Sequence, residues 1–341
     1  MTTMATLIGE DLDRFRGELL AHCYQMLGSV HDAEDLVQET MLRAWRARDQ
    51  YDPSLSSMRT WLHRIATNAC LTALDGRSRR PLPSGIGAPS DNPDEPLAGG
   101  HEVPWLQPFP DSRLDGDPAA AMLTSGRLRL ALTAALQLLP PRQRAILILR
   151  DALALPAAEV AGVLDTSTAA VNSGLQRARA RIAAAGVTED EIGATADTRS
   201  QAVVERYIAA FRNADIDGLK SLLARDAALE MPPFRNWYAG REHYVGFISR
   251  VFSLRGTDWQ MLSTGANGQP AAGYYVRVAD GSYERHTLQV FLVAGDRVRR
   301  NVVFGDPAVF DLFGLPASVM SSRTGEPAPA AGEPRPAPGP R

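Results

Sequence analysis

Lysine is almost missing from this chain. Of its 36 basic residues only Lys220 is a lysine, so nearly all positive charge is arginine. A guanidinium can present two donors at once to a phosphate or a guanine edge. Cysteine is scarce too, with only Cys23 and Cys70, both inside helical patterns. Two such thiols give no disulfide framework, and the six histidines stand at no ligand spacing with them. Buried reduced thiols are expected, with no metal and no cofactor. No apolar run approaches the roughly 18 residues of a membrane helix, so no membrane partner is expected. Residues 1–10 lack the basic start and apolar run of an export signal, which points to a cytoplasmic chain.

What is present fits two or three folded domains: 341 residues, 45% of them hydrophobic. The net charge of −3 looks wrong for a nucleic-acid binder until it is divided. Residues 59–80 carry +4, residues 81–120 carry −6 and residues 121–186 carry +5. Two basic blocks flank an acidic one, the pattern of separate nucleic-acid surfaces around a linker.

The most informative stretch is Asp32 to Arg80. In its first half Ala33, Leu36, Val37, Met41, Ala44 and Trp45 recur at helical spacing. Ser29 stands where a capping residue would, and Asp35, Gln38, Glu39 and Arg43 make the opposite face. In the second half Leu62, Ile65, Ala66, Ala69 and Ala73 form a buried stripe. Trp61, Arg64, Asn68 and Thr72 share another stripe, an indole and a guanidinium in line with hydrogen-bonding groups, as stacking on unpaired bases requires. Arg77, Arg79 and Arg80 follow. A preceding helix over residues 7–27, ended by Gly28, would pack beneath these two.

Residues 81–120 are rich in Pro, Gly and Asp, show no period and read as a linker. Within it Trp105, Leu106 and Phe109 are too apolar for a solvated spacer and are expected to dock on a surface. Residues 128–182 read as four helices. Val160, Ala161 and Leu164 line the third, Asp165-Thr166-Ser167 makes a turn, and Val171, Leu175, Ala178 and Ile182 line the fourth. The fourth helix's other face is Asn172, Ser173, Gln176, Arg177, Arg179 and Arg181. A short helix, a tight turn and a helix with a cationic face is helix-turn-helix geometry. Asn172, Ser173, Gln176 and Arg177 are placed for base edges, Arg179 and Arg181 for phosphates.

The stretch DAEDLVQETMLRAW with RTWLHRIATNACLTALDGRSRR resembles the second conserved region of sigma-70 family RNA polymerase sigma factors of the extracytoplasmic-function (ECF) group. LLPPRQRAILILRDALALPAAEVAGVLDTSTAAVNSGLQRARARI resembles their fourth region, in the correct order. The resemblance implies that Asp35, Gln38 and Glu39 meet the clamp helices of the polymerase β′ subunit. It implies that the Trp61 helix reads and melts the minus-ten promoter element. The helix-turn-helix would read the minus-thirty-five element and touch the β flap. Gly174 departs from a reading helix, as if leaving a gap where a side chain could sit. The linker resembles that of ECF groups carrying an extra C-terminal domain.

Residues 198–316 change character: two helices precede strands at 227–231, 258–264, 272–278, 287–294 and 298–304, with a helix at 240–252. Helices followed by antiparallel strands give an α+β domain. The order, and LEMPPFRNWYAGREHYVGFI in particular, resembles the SnoaL-like cone. Such a cone is expected to hold an apolar pocket lined by Tyr207, Phe211, Met231, Trp237, Tyr238, Phe247 and Tyr275. Arg277, Glu284 and His286 would be its polar groups, and a small molecule is carried as a candidate partner. No catalytic set is evident, and His243 and His286 read as structural. Residues 321–341, Pro/Ala/Gly-rich, read as a disordered tail.

The expected whole is multidomain. Residues 7–80 and 121–186 form two all-α units and residues 198–316 an α+β cone. It would be a promoter-recognition subunit and not an enzyme, working with core polymerase and promoter DNA, its cone acting in cis. A ligand-sensing helix-turn-helix repressor would leave Asp32–Arg80 unexplained. A cyclase or isomerase with a DNA-binding head would need catalytic groups in residues 199–316.

Overall fold

The computed structural model describes residues 12–114, 128–184 and 198–320. The tail at 321–341 and the start of the first helix lie outside them. Three helices form the first unit: α1 (Arg16–Leu27), α2 (Val30–Arg46) and α3 (Met58–Leu74). Gly28 ends α1 in the left-handed conformation at φ 69°, where glycine carries no Cβ penalty. The Ser29 hydroxyl accepts from Asp32 N at the start of α2, and Ser57 does the same for Thr60 N at the start of α3. Residues Glu18 to Leu27 of α1 are buried all round, because α1 is covered by α2, α3 and the second helical unit.

That second unit holds α4 (Leu130–Leu136), α5 (Pro141–Leu147), α6 (Ala157–Val163) and α7 (Thr168–Ala184). Wider turns continue α5 over Ile148–Ala152. The C-terminal unit adds α8 (Thr198–Arg212), α9 (Ile216–Leu222), β1 (Leu223–Glu230), β2 (Trp237–Ala239) and α10 (Arg241–Arg255). Strands β3 (Trp259–Ala266), β4 (Gln269–Arg277), β5 (Tyr283–Ala294) and β6 (Arg297–Phe304) follow, then α11 (Pro307–Leu312) and β7 (Ser318–Val319). The sheet order is β2-β1-β6-β5-β4-β3, with β7 pairing β5. The sheet is mixed and not purely antiparallel, because β1 runs parallel to β6. A crossover carrying α10 returns the chain to the far edge before the β3–β6 meander, and this turns the last strand parallel to the first.

Two cores result. One lies inside the cone, around Tyr207, Phe211, Tyr238, Trp259 and Phe291. The other joins both helical units to the linker's Leu106 and Phe109 and to the opposite face of the sheet, including Tyr275 and Phe310. Residues 81–114 are therefore not a free spacer. Leu82, Leu106 and Phe109 are buried, and Phe109 packs on Tyr24 with ring centroids 4.9 Å apart. The surface that Phe109 docks on is α1 together with the β3–β4 turn. Trp105 is the exception, half-buried and donating its indole N–H to Gly100 O.

The first unit contains an acid-sensitive spot. His63 on α3 is fully buried, edge-on to His22 with ring centroids 5.2 Å apart. Burial pushes His63 down to about 4, and the neighbouring Arg59 charge adds to the drop while the Arg59 carbonyl opposes it. Glu18 lies 3.6 Å from His63 Nε2, but its carboxylate is already paired with Arg59. A proton therefore binds the unfolded chain first as pH falls below about 6.5. Stability is full above that value and is lost as pH falls toward 4, by roughly 3 kcal/mol for this group. Urea unfolding at pH 7 and pH 4.5 checks this, and His63→Gln should reduce the difference, with the buried His22 and His286 supplying a remainder of the same sign.

Candidate nucleic-acid interface and ligand cavity

The outer face of α2 presents Asp35 and Gln38 to solvent, and Glu39 is held by Arg43 at 2.7 Å. On α3, Trp61 is half-buried against the Tyr51 ring at 5.2 Å, while Arg64 and Asn68 are exposed one turn apart. Arg77 and Arg80 both reach back to Asp32, at 3.3 and 2.9 Å, and Arg79 donates to Gly85 O at 3.0 Å. The basic end of this unit is thus tied to α2 and to the linker.

On α7, Asn172, Ser173, Gln176, Arg177 and Arg181 are exposed on one side. Arg177 donates to Ser173 Oγ at 2.5 Å. Arg179 makes a two-pronged pair with Asp151, Nε–Oδ2 3.1 Å and Nη2–Oδ1 2.7 Å. Gly174 is not a gap in the reading face. It lies on the buried side with Val171, Leu175 and Ala178, and a Cβ there would meet Ile146 Cδ1 at 2.6 Å. Glycine at that position lets α7 approach α5.

The two helical units touch. Thr60 Oγ1 on α3 donates to Glu159 Oε2 on α6 at 2.7 Å, and Arg59 Nη1 donates to Leu153 O at 3.2 Å. Beside this contact is a junction that no sequence pattern announced. Asn267, in the turn between β3 and β4, is buried with φ 56°. Its Nδ2 donates to Tyr24 Oη at 2.9 Å and to Leu128 O at 2.6 Å, and its Oδ1 accepts from Phe109 N at 2.8 Å. Tyr24 Oη donates in turn to Gln107 O at 2.7 Å, and Gln107 Oε1 accepts from Val30 N at 2.9 Å. One residue downstream of Gly268, Gln269 accepts from Leu130 N at 3.0 Å. A single hairpin turn therefore holds α1, the linker and the start of α4.

The cone contains a cavity of about 380 Å³. Phe211, Met231, Phe247 and His286 lie on its wall, as do Trp259, Thr287 and Gln289. Six sequence candidates are placed elsewhere. Tyr207 is fully buried behind the wall, hydrogen-bonded to Tyr244 at 2.7 Å. Tyr238 stacks behind Phe247 at 5.1 Å, and Trp237 donates its indole N–H to Gly87 O in the linker. Tyr275 points through the opposite face of the sheet onto Phe310, at 5.5 Å, because adjacent strand residues alternate sides and Tyr274 takes the inner one. Arg277 pairs with Asp258 outside the cavity, and Glu284 is exposed on β5. His286 is pushed down to about 4, first by burial and then by the Arg255 charge, so at neutral pH it is an uncharged imidazole. No group of metal-ligating side chains occurs among the described residues.

Two helical units with arginine-bearing surfaces are joined here to a C-terminal α+β cone that holds a cavity. The comparisons give the family. Residues 12–80 match the model of Sigma-70 region 2, residues 129–182 that of Sigma-70, region 4, and residues 204–301 that of the SnoaL-like domain. The chain is 49% identical over 308 residues to the ECF RNA polymerase sigma factor SigG of Mycobacterium tuberculosis, covering 89% of this chain and 83% of that one. It is 32% identical over 217 residues to SigJ of the same organism, covering 63% and 62% of the two chains. The crystal structure of SigJ superposes with a TM-score of 0.64 at 25% identity, over 91% of this chain and 99% of that one. The chain belongs to the ECF RNA polymerase sigma factors. It directs transcription initiation as a sigma factor whose C-terminal unit is SnoaL-like.

Proposed function

We propose that the cone regulates this sigma factor in cis by holding its two promoter-reading units closed. Asn267 carries the reading, because one buried side chain bonds the first helical unit, the linker and the start of the second. In the open, working form Asp35, Gln38 and Glu39 meet the β′ clamp helices. Trp61, Arg64 and Asn68, with Arg77, Arg79 and Arg80, engage the minus-ten element. Asn172, Ser173, Gln176 and Arg177 read the minus-thirty-five element, Arg179 and Arg181 hold phosphates, and the second unit also touches the β flap. The protein works in the cytoplasm and supplies no catalysis of its own, since the polymerase does the chemistry. Among the described residues no helix is long and apolar enough to cross a membrane.

Asn267→Gly keeps a backbone that tolerates positive φ and removes the latch. With core polymerase it is expected to give more run-off transcript than the unaltered protein at equal concentration, because the closed form brings the reading units too near each other. An unchanged yield would overturn cis control. Arg177→Ala is expected to relax base preference in the upstream element, at about 1–3 kcal/mol for a lost bidentate contact. A binding selection with the polymerase holoenzyme reads this, and an unaltered preference would place the reading face elsewhere.

A further inference from the structure

We propose that the cone cavity binds a small organic anion with an apolar body, that Arg255 takes the anionic group, and that the bound molecule holds the linker down over itself. At about 380 Å³ the cavity falls in the size range of small-molecule sites, roughly 300–1,000 Å³. Its wall is mostly aromatic and aliphatic, with Phe211, Met231, Phe247 and Trp259 making the apolar part. The polar groups on that wall are Arg250, Arg255, His286, Thr287 and Gln289, and no Asp or Glu is among the lining residues. The charge offered to a ligand is therefore positive only, and an ammonium would meet no counter-charge.

The two guanidiniums have different duties. Arg250 Nη1 donates to the linker carbonyls of Pro93 and Glu95, at 2.8 and 2.5 Å. Arg255 sits exposed at the end of α10 and makes no ion pair or hydrogen bond among the described residues. It is the cation left to pair with an incoming anion. Near it the uncharged His286 is a hydrogen-bonding group. The Oε1 of Gln289 is already taken by Asn301 at 2.8 Å, which leaves the amide N–H₂ for a ligand. A lone neutral imidazole with no facing carboxylate lacks the acid-base pair that turnover would need, so the site is a receptor.

The linker completes the wall. Leu97 lines the cavity although it belongs to residues 81–114 and not to the cone. It is pinned by Ala98 N to Asn236 Oδ1 at 2.5 Å, Arg235 N to Ala98 O at 2.9 Å and Gly100 N to Pro233 O at 2.9 Å. A molecule that touches Leu97 binds the docked linker better than the undocked one, and so shifts the population toward the docked state. That the docked linker silences transcription rests on the cis reading above; the binding itself does not.

Calorimetric titration of the full-length protein with 2-naphthylacetate, 2-naphthylacetamide and 2-naphthylethylammonium tests the site. The carboxylate is expected to bind about tenfold tighter than the amide, the value of one charge-assisted hydrogen bond, and the ammonium to give no heat. Arg255→Gln, at an exposed position, is expected to fold normally and to erase the preference for the carboxylate. Absence of carboxylate binding, equal binding of the amide or ammonium, or a preference that survives Arg255→Gln would overturn the site. On saturation, hydrogen exchange at the amides of Ala98 and Gly100 is expected to slow, and unchanged exchange would overturn the linker closure. Run-off yield should fall with saturating carboxylate. Binding and linker protection without that fall would sustain the site and refute cis control.

Discussion

Arg144→Met is expected to destabilise the protein by about 3–5 kcal/mol, the cost of stripping a charged hub from buried acceptors. The Arg144 side chain is 3% exposed and has no carboxylate partner among the described residues. Its Nε donates to Leu136 O at 2.9 Å, its Nη1 to Gln137 Oε1 at 2.8 Å, and its Nη2 to the carbonyls of Gln137 and Leu139, both at 3.2 Å. Nη1 also reaches the Met26 carbonyl in the last turn of α1. These acceptors are mostly the open carbonyls at the C-terminal ends of α4 and α1, where a cation is favoured. Burial lowers the guanidinium to about 10, so it still carries its charge at neutral pH. Methionine would fill much of the volume and leave four oxygens without donors, Leu136 O keeping the one from Leu139 N. Arg144→Lys should recover little of the loss, because an ammonium has three donors and no planar fork. The midpoint of urea unfolding decides it. A loss below about 1 kcal/mol would mean that water takes over the acceptors, and the two helical units would then be less firmly joined than this hub indicates.

The parts legible in the sequence are those whose spacing is set by their own periodicity. The stripes of α2, α3 and α7 emerge directly, as does the Ser29 cap, whose acceptor role is observed at Asp32 N. Apart from Trp105, Leu106 and Phe109 the linker reads as a spacer, because an extended chain takes its spacing from the surface beneath it. Residues 90–100 are held by Asn236, Arg250 and Pro233, about 130–160 positions away. Composition rich in proline and glycine describes a free spacer and a docked strap equally well. In the cone, Tyr207, Tyr238 and Tyr275 are buried yet lie off the cavity they were expected to line, because an apolar residue type does not say on which side it is buried. Tyr274 and Tyr275 differ by one position and face different cores. Gly174 was misplaced for the same reason, since a missing side chain on a helix reads as a gap outward or a close approach inward, and only its neighbour Ile146 decides. The Asn267-Gly268 pair is a hairpin signal by its dipeptide alone. That its side chain would bind three other segments depends on contacts across about 140 to 240 residues of chain, which no local pattern encodes.

A covalent tie between the two reading units is expected to abolish transcription and its removal to restore it. The reason is distance. In the proposed assignment the two units sit on the minus-ten and minus-thirty-five elements, about 25 base pairs apart, roughly 85 Å along B-form DNA at 3.4 Å per pair. Helix α7 has 17 residues, so it is only about 25 Å long. In the closed protein α3 and α6 are one hydrogen bond apart, Thr60 Oγ1 to Glu159 Oε2 at 2.7 Å. A unit on each element cannot keep that bond, so promoter engagement requires the units to separate. Cysteines in place of Thr60 and Glu159, joined by a short reductant-cleavable bismaleimide, would prevent it. The shorter side chain at 159 opens the site to reagent, while the native Cys23 and Cys70, both 0% exposed, stay unreacted. Run-off yield should fall to background in the cross-linked protein and recover on cleavage with dithiothreitol, with each single-cysteine variant unaffected by the reagent. Glu159→Ala alone should shift yield the other way, because it removes one of the bonds that favour closure. Normal transcription by the cross-linked protein would show that the closed arrangement can still engage polymerase and promoter. The Asn267 junction would then be a packing device and not a brake.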